Sequence, residues 1–108
     1  MSKGINPLSN IMQQAQELQE RLSQIQEQAA ARTVEASAGG GMVTAVVSGR
    51  LEVVSLRIDP EVLKSGDTEM VQDLVMAAIN QGIRNAQAMV AEEMKKVTGG
   101  LKLPGLSF

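Results

Sequence analysis

An α+β domain of element order α-β-β-β-α-α is predicted by three features of the chain. An apolar stripe at coiled-coil spacing lies near its start, three short segments alternate apolar and polar residues, and a second apolar stripe at helical spacing runs between Asp67 and Gly99. Two long helices thus flank a three-stranded antiparallel sheet. One composition throughout the 108 residues points to a single domain, residues 1–108.

The first element is a helical arm over residues 6–31, NPLSNIMQQAQELQERLSQIQEQAAA. Asn6 can cap it and Pro7 suits its first turn, where a missing N–H costs nothing. Leu8, Ile11, Ala15, Leu18, Leu22, Ile25 and Ala29 follow in alternating steps of three and four, the seam of a coiled coil. Such a helix is about 39 Å long. A domain of this mass cannot cover it, so part of it is expected to project and meet a partner.

The sheet is expected over residues 32–58. In RTVEAS, Val34 and Ala36 alternate with Thr33, Glu35 and Ser37, and Ala38 to Gly41 form a flexible reversal. MVTAVVS then points Val43, Ala45 and Val47 one way, and SGR turns the chain into LEVVSLRI. That third strand sets Val54, Leu56 and Ile58 against Leu51 and Val53, and with apolar residues on both faces it is expected to be the best covered of the three.

Asp59 and Pro60 begin a short helix, residues 60–65, that Gly66 ends. A long helix, residues 67–97, follows, with Asp67 as cap, Lys95 and Lys96 in its last turn and Gly99 as its left-handed stop. Its apolar face is wider than one contact needs. Val75 belongs to that face, and Ala78, Gly82 and Ala86, spaced four apart, predict a close packing contact centred on Gly82. The tail, residues 99–108, is expected to be mobile unless its leucines dock.

Composition narrows the function. There is no Cys and no His, which removes disulfides, thiol nucleophiles, imidazole bases and the usual zinc sites. The pairs Glu17/Glu20 and Glu92/Glu93 lie on polar helix faces with no group placed to tune them, and the glycine run at 39–41 lacks the Lys-Ser/Thr of a phosphate loop. An enzyme is therefore not expected, nor a cofactor, a metal or a small-molecule substrate. No apolar run is long enough for a membrane span or a signal-peptide core, so a cytoplasmic protein is expected. Phe108 is the one aromatic residue. A core of aliphatic side chains, thinned further by a projecting arm, favours a homo-oligomer. The methionines are expected to fill that core.

Net charge is −2 and the pI about 5.1, against the positive balance usual in proteins that bind nucleic acid through phosphates. Distribution could reverse the total. If the long helices pack antiparallel, the start of the first lies beside the end of the last, which would gather Lys3, Lys95, Lys96 and Lys102 at one tip with a helix N-terminus. The alternative is that Lys95 and Lys96 only complement a helix C-terminus, cancelled by Glu92 and Glu93.

MQQAQELQERL, GGGMVTAVVSG, LRIDPEVL, DLVMAAINQGIRNAQ and MKKVTGGLKLPGL, in that order, resemble the YbaB/EbfC family of bacterial nucleoid-associated proteins over nearly the whole chain. The resemblance implies a tweezer-like homodimer with a central body of joined sheets and protruding helical arms. It implies double-stranded DNA as partner, bound with weak or variable sequence preference in the nucleoid, and roles in nucleoid organisation and gene regulation. Recombination or replication proteins are further candidate partners, because genes for such proteins often neighbour those of the family. Dimer and packing contacts are expected at Val54, Leu56, Ile58, Val75, Ala78, Gly82 and Ala86, and DNA contacts at Lys3, Arg21, Lys95, Lys96 and Lys102. Here the arm departs from the family's lysine-rich pattern: Gln13, Gln14, Gln16, Gln19, Gln24, Gln26 and Gln28 dominate it, and glutamine releases no counterions. The alternative is a protein-interaction module that uses its coiled-coil-like arms without binding DNA.

Overall fold

The computed structural model describes residues 7–100, with side chains as far as residue 96. Its elements follow the expected α+β order: helix α1 (Pro7–Ala31), strands β1 (Thr33–Ala38), β2 (Val43–Ser48) and β3 (Val53–Ile58), helix α2 (Pro60–Lys64) and helix α3 (Thr68–Gly100). The strands form one antiparallel sheet in the order β1-β2-β3. Caps set two of the helix starts. Asp59 Oδ1 accepts from the Glu61 backbone N–H at 2.9 Å, and Asp67 Oδ1 accepts from that of Met70 at 3.0 Å. The Asn6 cap lies outside the described residues.

Helix α3 lies across β1 and β2. Val43, Ala45 and Val47 of β2 are fully buried beneath Ala78 and Ala86 of α3, with Leu74, Val75, Ile79 and Ile58 around them. Burying each of the two valines contributes about 1.5–3 kcal/mol. Small residues on α3 make this possible: a methyl carbon at Gly82 would stand 2.6 Å from Val47 Cγ2. The turn from β1 to β2 has its own demand for glycine, since Gly39, Gly40 and Gly41 all take positive φ, 64°, 67° and 100°.

The structure corrects four expectations. First, β3 is an edge strand and the most exposed of the three, not the best covered: Val53, Val54 and Leu56 are 43%, 59% and 41% exposed because α3 covers β1 and β2 instead. A bulge also breaks its alternation, so that Val53 faces Val47 and Val54 is left over. Second, Leu51 lies in the turn and not in the strand. It holds φ 64°, with its N–H donating to Ser48 O at 2.8 Å. A left-handed leucine is costly, and Leu51→Asn is expected to raise stability by about 1 kcal/mol, read from chemical denaturation. Third, the methionines do not fill the core. Met12, Met42 and Met76 are 63%, 42% and 55% exposed, because the Val/Ala sheet meets the Ala/Gly helix face too closely to leave a gap for a long side chain. Fourth, α3 continues past Val97 to Gly100, so Lys95 and Lys96 precede its last turn. Glycine permits a left-handed stop but does not impose one.

The arm is real in its dimensions. The molecule measures 83 × 26 × 15 Å, and its Cα radius of gyration of 22.0 Å exceeds the about 13 Å of a compact chain of this length.

Candidate nucleic-acid interface

Burial along α1 changes in one direction. Ala29 is buried, Ile25, Leu22 and Leu18 are half-buried, and Ala15, Met12, Ile11 and Leu8 are exposed. The seam predicted from spacing is therefore covered at its inner end only. That end is held in three ways. Gly49 packs directly on the Ala29 carbonyl, the Gly49 N–H donates to Arg32 O at 2.9 Å, and the Arg32 guanidinium pairs with Glu93 of α3. Beyond Glu93, α3 runs seven residues further, about 10 Å, to Gly100.

This offset corrects the expected tip. About 36 Å of helix separates Pro7 from Ala31. Lys95 and Lys96 stand within a turn of Glu93, where the end of α1 is anchored, so they sit at the base of the arm and not beside its start. Lys3 and Lys102 lie outside the described residues. The helices are antiparallel, but the loopless connection from Ala31 through Arg32 into β1 pins the end of α1, and not its start, to the sheet and α3.

Charge along the molecule follows the same division. The arm carries Glu17, Glu20 and Glu27 against Arg21, which is exposed. The base gathers Arg32, Arg50, Lys95 and Lys96 around Glu52, Glu92 and Glu93. Lys95 Nζ lies 3.8 Å from Glu92 Oε1 and Lys96 Nζ 3.4 Å from Glu93 Oε1, the cancelling pairs of the alternative reading. Both lysine side chains are more than 70% exposed, and pairs of this kind are worth about 0–1 kcal/mol, so either can exchange its glutamate for a phosphate. Sequence reasoning overlooked Arg32 and Arg50. Each stands at an element boundary, and only the packing of the β2–β3 turn on the end of α1 brings them together.

A second surface is apolar. Asn85 Nδ2 donates to Glu35 O of β1 at 3.3 Å, which fixes the rotation of α3. Met76, nine residues earlier and therefore two and a half turns away, lies on the opposite face of α3. Val53, Val54 and Leu56 are exposed on the edge strand β3, and Met76 is exposed on α3. Of the other residues expected in packing or dimer contacts, Ala78, Gly82 and Ala86 are buried within the chain, and Val75 and Ile58 are half-buried. Among the described residues, no helix is long and apolar enough to cross a membrane.

Comparison with known proteins agrees with these features. The chain is 53% identical over 108 residues to a nucleoid-associated protein of Syntrophobacter fumaroxidans, covering 100% of this chain and 94% of that one. It is 51% identical over 110 residues to one from Thermoanaerobacter pseudethanolicus, covering 98% and 99%. The crystal structure of an uncharacterized protein from Helicobacter pylori is similar in fold, with a TM-score of 0.64 at 27% identity over 90% of this chain and 97% of the other. The profile of the YbaB/EbfC DNA-binding family matches residues 5–101. With a match of that extent, the chain belongs to the YbaB/EbfC DNA-binding family, a family of nucleoid-associated proteins and not of enzymes.

Proposed function

We propose that the protein is a tweezer-like homodimer that binds double-stranded DNA through the phosphate backbone, with weak or variable sequence preference, and contributes to nucleoid organisation and gene regulation in the cytoplasm. The family match over residues 5–101 carries the DNA role. The relatives named nucleoid-associated support the location. The exposed apolar residues of the edge strand β3, Val53, Val54 and Leu56, support the dimer, since such patches on soluble proteins mark interaction sites. Two copies joined there would place an arm on each side of a shared body.

Lys95 and Lys96 are the first candidates for phosphate contact, with Arg21 on the arm and, outside the described residues, Lys3 and Lys102. The glutamines of α1 add hydrogen bonds without counterion release, so affinity rests on few cations. Binding to a labelled duplex, measured across a salt series from about 50 mM, should fall linearly in log-log form with a slope of several phosphates. Absence of binding at the lowest salt would reject the DNA role and favour capture of a protein, recombination or replication proteins among the candidates.

The double variant Lys95→Gln/Lys96→Gln is expected to weaken binding and to reduce the salt slope by about two. An unchanged affinity in a variant whose dimer is intact would remove these lysines from the interface.

A further inference from the structure

The sheet face turned away from α3 is polar and open. Val43, Ala45 and Val47 are buried under α3, so Thr44 and Val46, which alternate with them, point the other way. Strand pairing sets Ser37, Thr44 and Arg57 in one row across that open face. Ser37 and Arg57 are exposed, Thr44 is half-buried between them, and the row borders a shallow hollow that Glu35 also lines. Among the described residues, the Arg57 guanidinium has no ion-pair or hydrogen-bond partner, and the Ser37 and Thr44 hydroxyls have none either. Lys95 and Lys96 differ in this respect, since each lies beside a glutamate that an incoming phosphate must displace.

We infer that Arg57, with the hydroxyls of Ser37 and Thr44, is a contact for a DNA backbone phosphate on the open face of the sheet. The inference rests on the DNA-binding reading above and adds the body of the molecule to the arm and its base as a surface that DNA touches. Arginine, serine and threonine are donors that phosphate contacts commonly use. The guanidinium offers five N–H groups in a planar fork and the two hydroxyls one O–H each, in a row about 10 Å wide, and no existing pair is broken to engage them. Two carboxylates lie near. That of Asp59 is taken up in capping α2, where Oδ1 accepts from the Glu61 N–H at 2.9 Å. Glu35 stands two strands and two residues from Arg57, about 12 Å between Cα atoms, and lowers the attraction without cancelling it.

The test compares parent and variants on one labelled duplex across a salt series. Arg57→Gln is expected to weaken binding roughly five- to tenfold near 0.1 M salt and to lower the salt slope by about one for each copy that touches DNA. Arg57→Lys, which keeps the charge, should restore the slope. Glu35→Gln, which removes the negative charge beside the hollow, should tighten binding roughly twofold. Arg57 has no partner to lose among the described residues, so these substitutions leave the fold intact. If the parent binds and Arg57→Gln matches it in affinity and slope, the contact is rejected while the DNA reading stands. A lysine variant as weak as the glutamine one would reject it too, because the effect would then not be one of charge. A parent that binds no duplex at the lowest salt overturns the DNA reading, and this contact with it.

Discussion

Gly49→Ala is expected to destabilise the protein by about 3 kcal/mol, the upper range for overpacking, lowering Tm by roughly 12–24 °C in a domain of this size. The added methyl would overlap the carbonyl oxygen of Ala29 and lie 2.8 Å from its carbon and 3.0 Å from Ala30 Cα. All three are backbone atoms, so no rotamer change relieves the overlap. The end of α1 must lift from the β2–β3 turn, which also breaks the 2.9 Å bond from the Gly49 N–H to Arg32 O. Thermal unfolding followed by circular dichroism at fixed protein concentration measures the loss. A Tm within a few degrees of the parent would mean that α1 is not seated on the turn, and the account of the arm's anchorage would fail. If DNA is bound at the base, the variant should also lose affinity well below its unfolding temperature.

Leu56→Lys is expected to convert the proposed dimer into a folded monomer. Leu56 is 41% exposed on the edge strand, so a lysine there costs the isolated chain little, and lysine on an edge is a known deterrent to pairing. At a two-fold interface each substitution counts twice. Losing about 1.5–3 kcal/mol of burial on each side weakens association by roughly 3–6 kcal/mol, or about 10²–10⁴ in the dissociation constant. Sedimentation across a concentration series would show it. A variant that still sediments as the parent does would place the dimer contact elsewhere, and a parent that is a folded monomer at micromolar concentration would remove the dimer itself.

Local signals made much of the architecture legible. The Asp59-Pro60 and Asp67 starts, the steps along α1 and the alternation in β2 each depend on residues a few positions apart, where backbone geometry alone sets the pattern. Signals failed where they needed a distant partner. The apolar residues on both faces of β3 suggest cover within the chain, yet an edge strand that pairs with another copy carries the same pattern. Leu51 continued an apolar run, but the hydrogen bonds of the turn held it in a left-handed conformation. Methionine as a residue type suggests core filling, whereas its burial depends on how near α3 comes to the sheet. For the proposed DNA contacts, residue type picks out Lys95 and Lys96 as candidates and leaves their neighbours in space open.

Element order, the coiled-coil seam, the small-residue face of α3 and the family were determined by the sequence itself, because each is a matter of spacing or of motifs in order. Which half of the seam is covered, which edge strand α3 leaves bare and where the cations gather were decided only by the tertiary structure. Arg32 and Glu93 are separated by 61 positions, and their pairing fixes the arm's offset and puts Lys95 and Lys96 at its base. No periodicity encodes such a contact. It follows from the packing of Gly82 on Val47 and of Gly49 on Ala29, which sets how far α3 travels before it meets the end of α1.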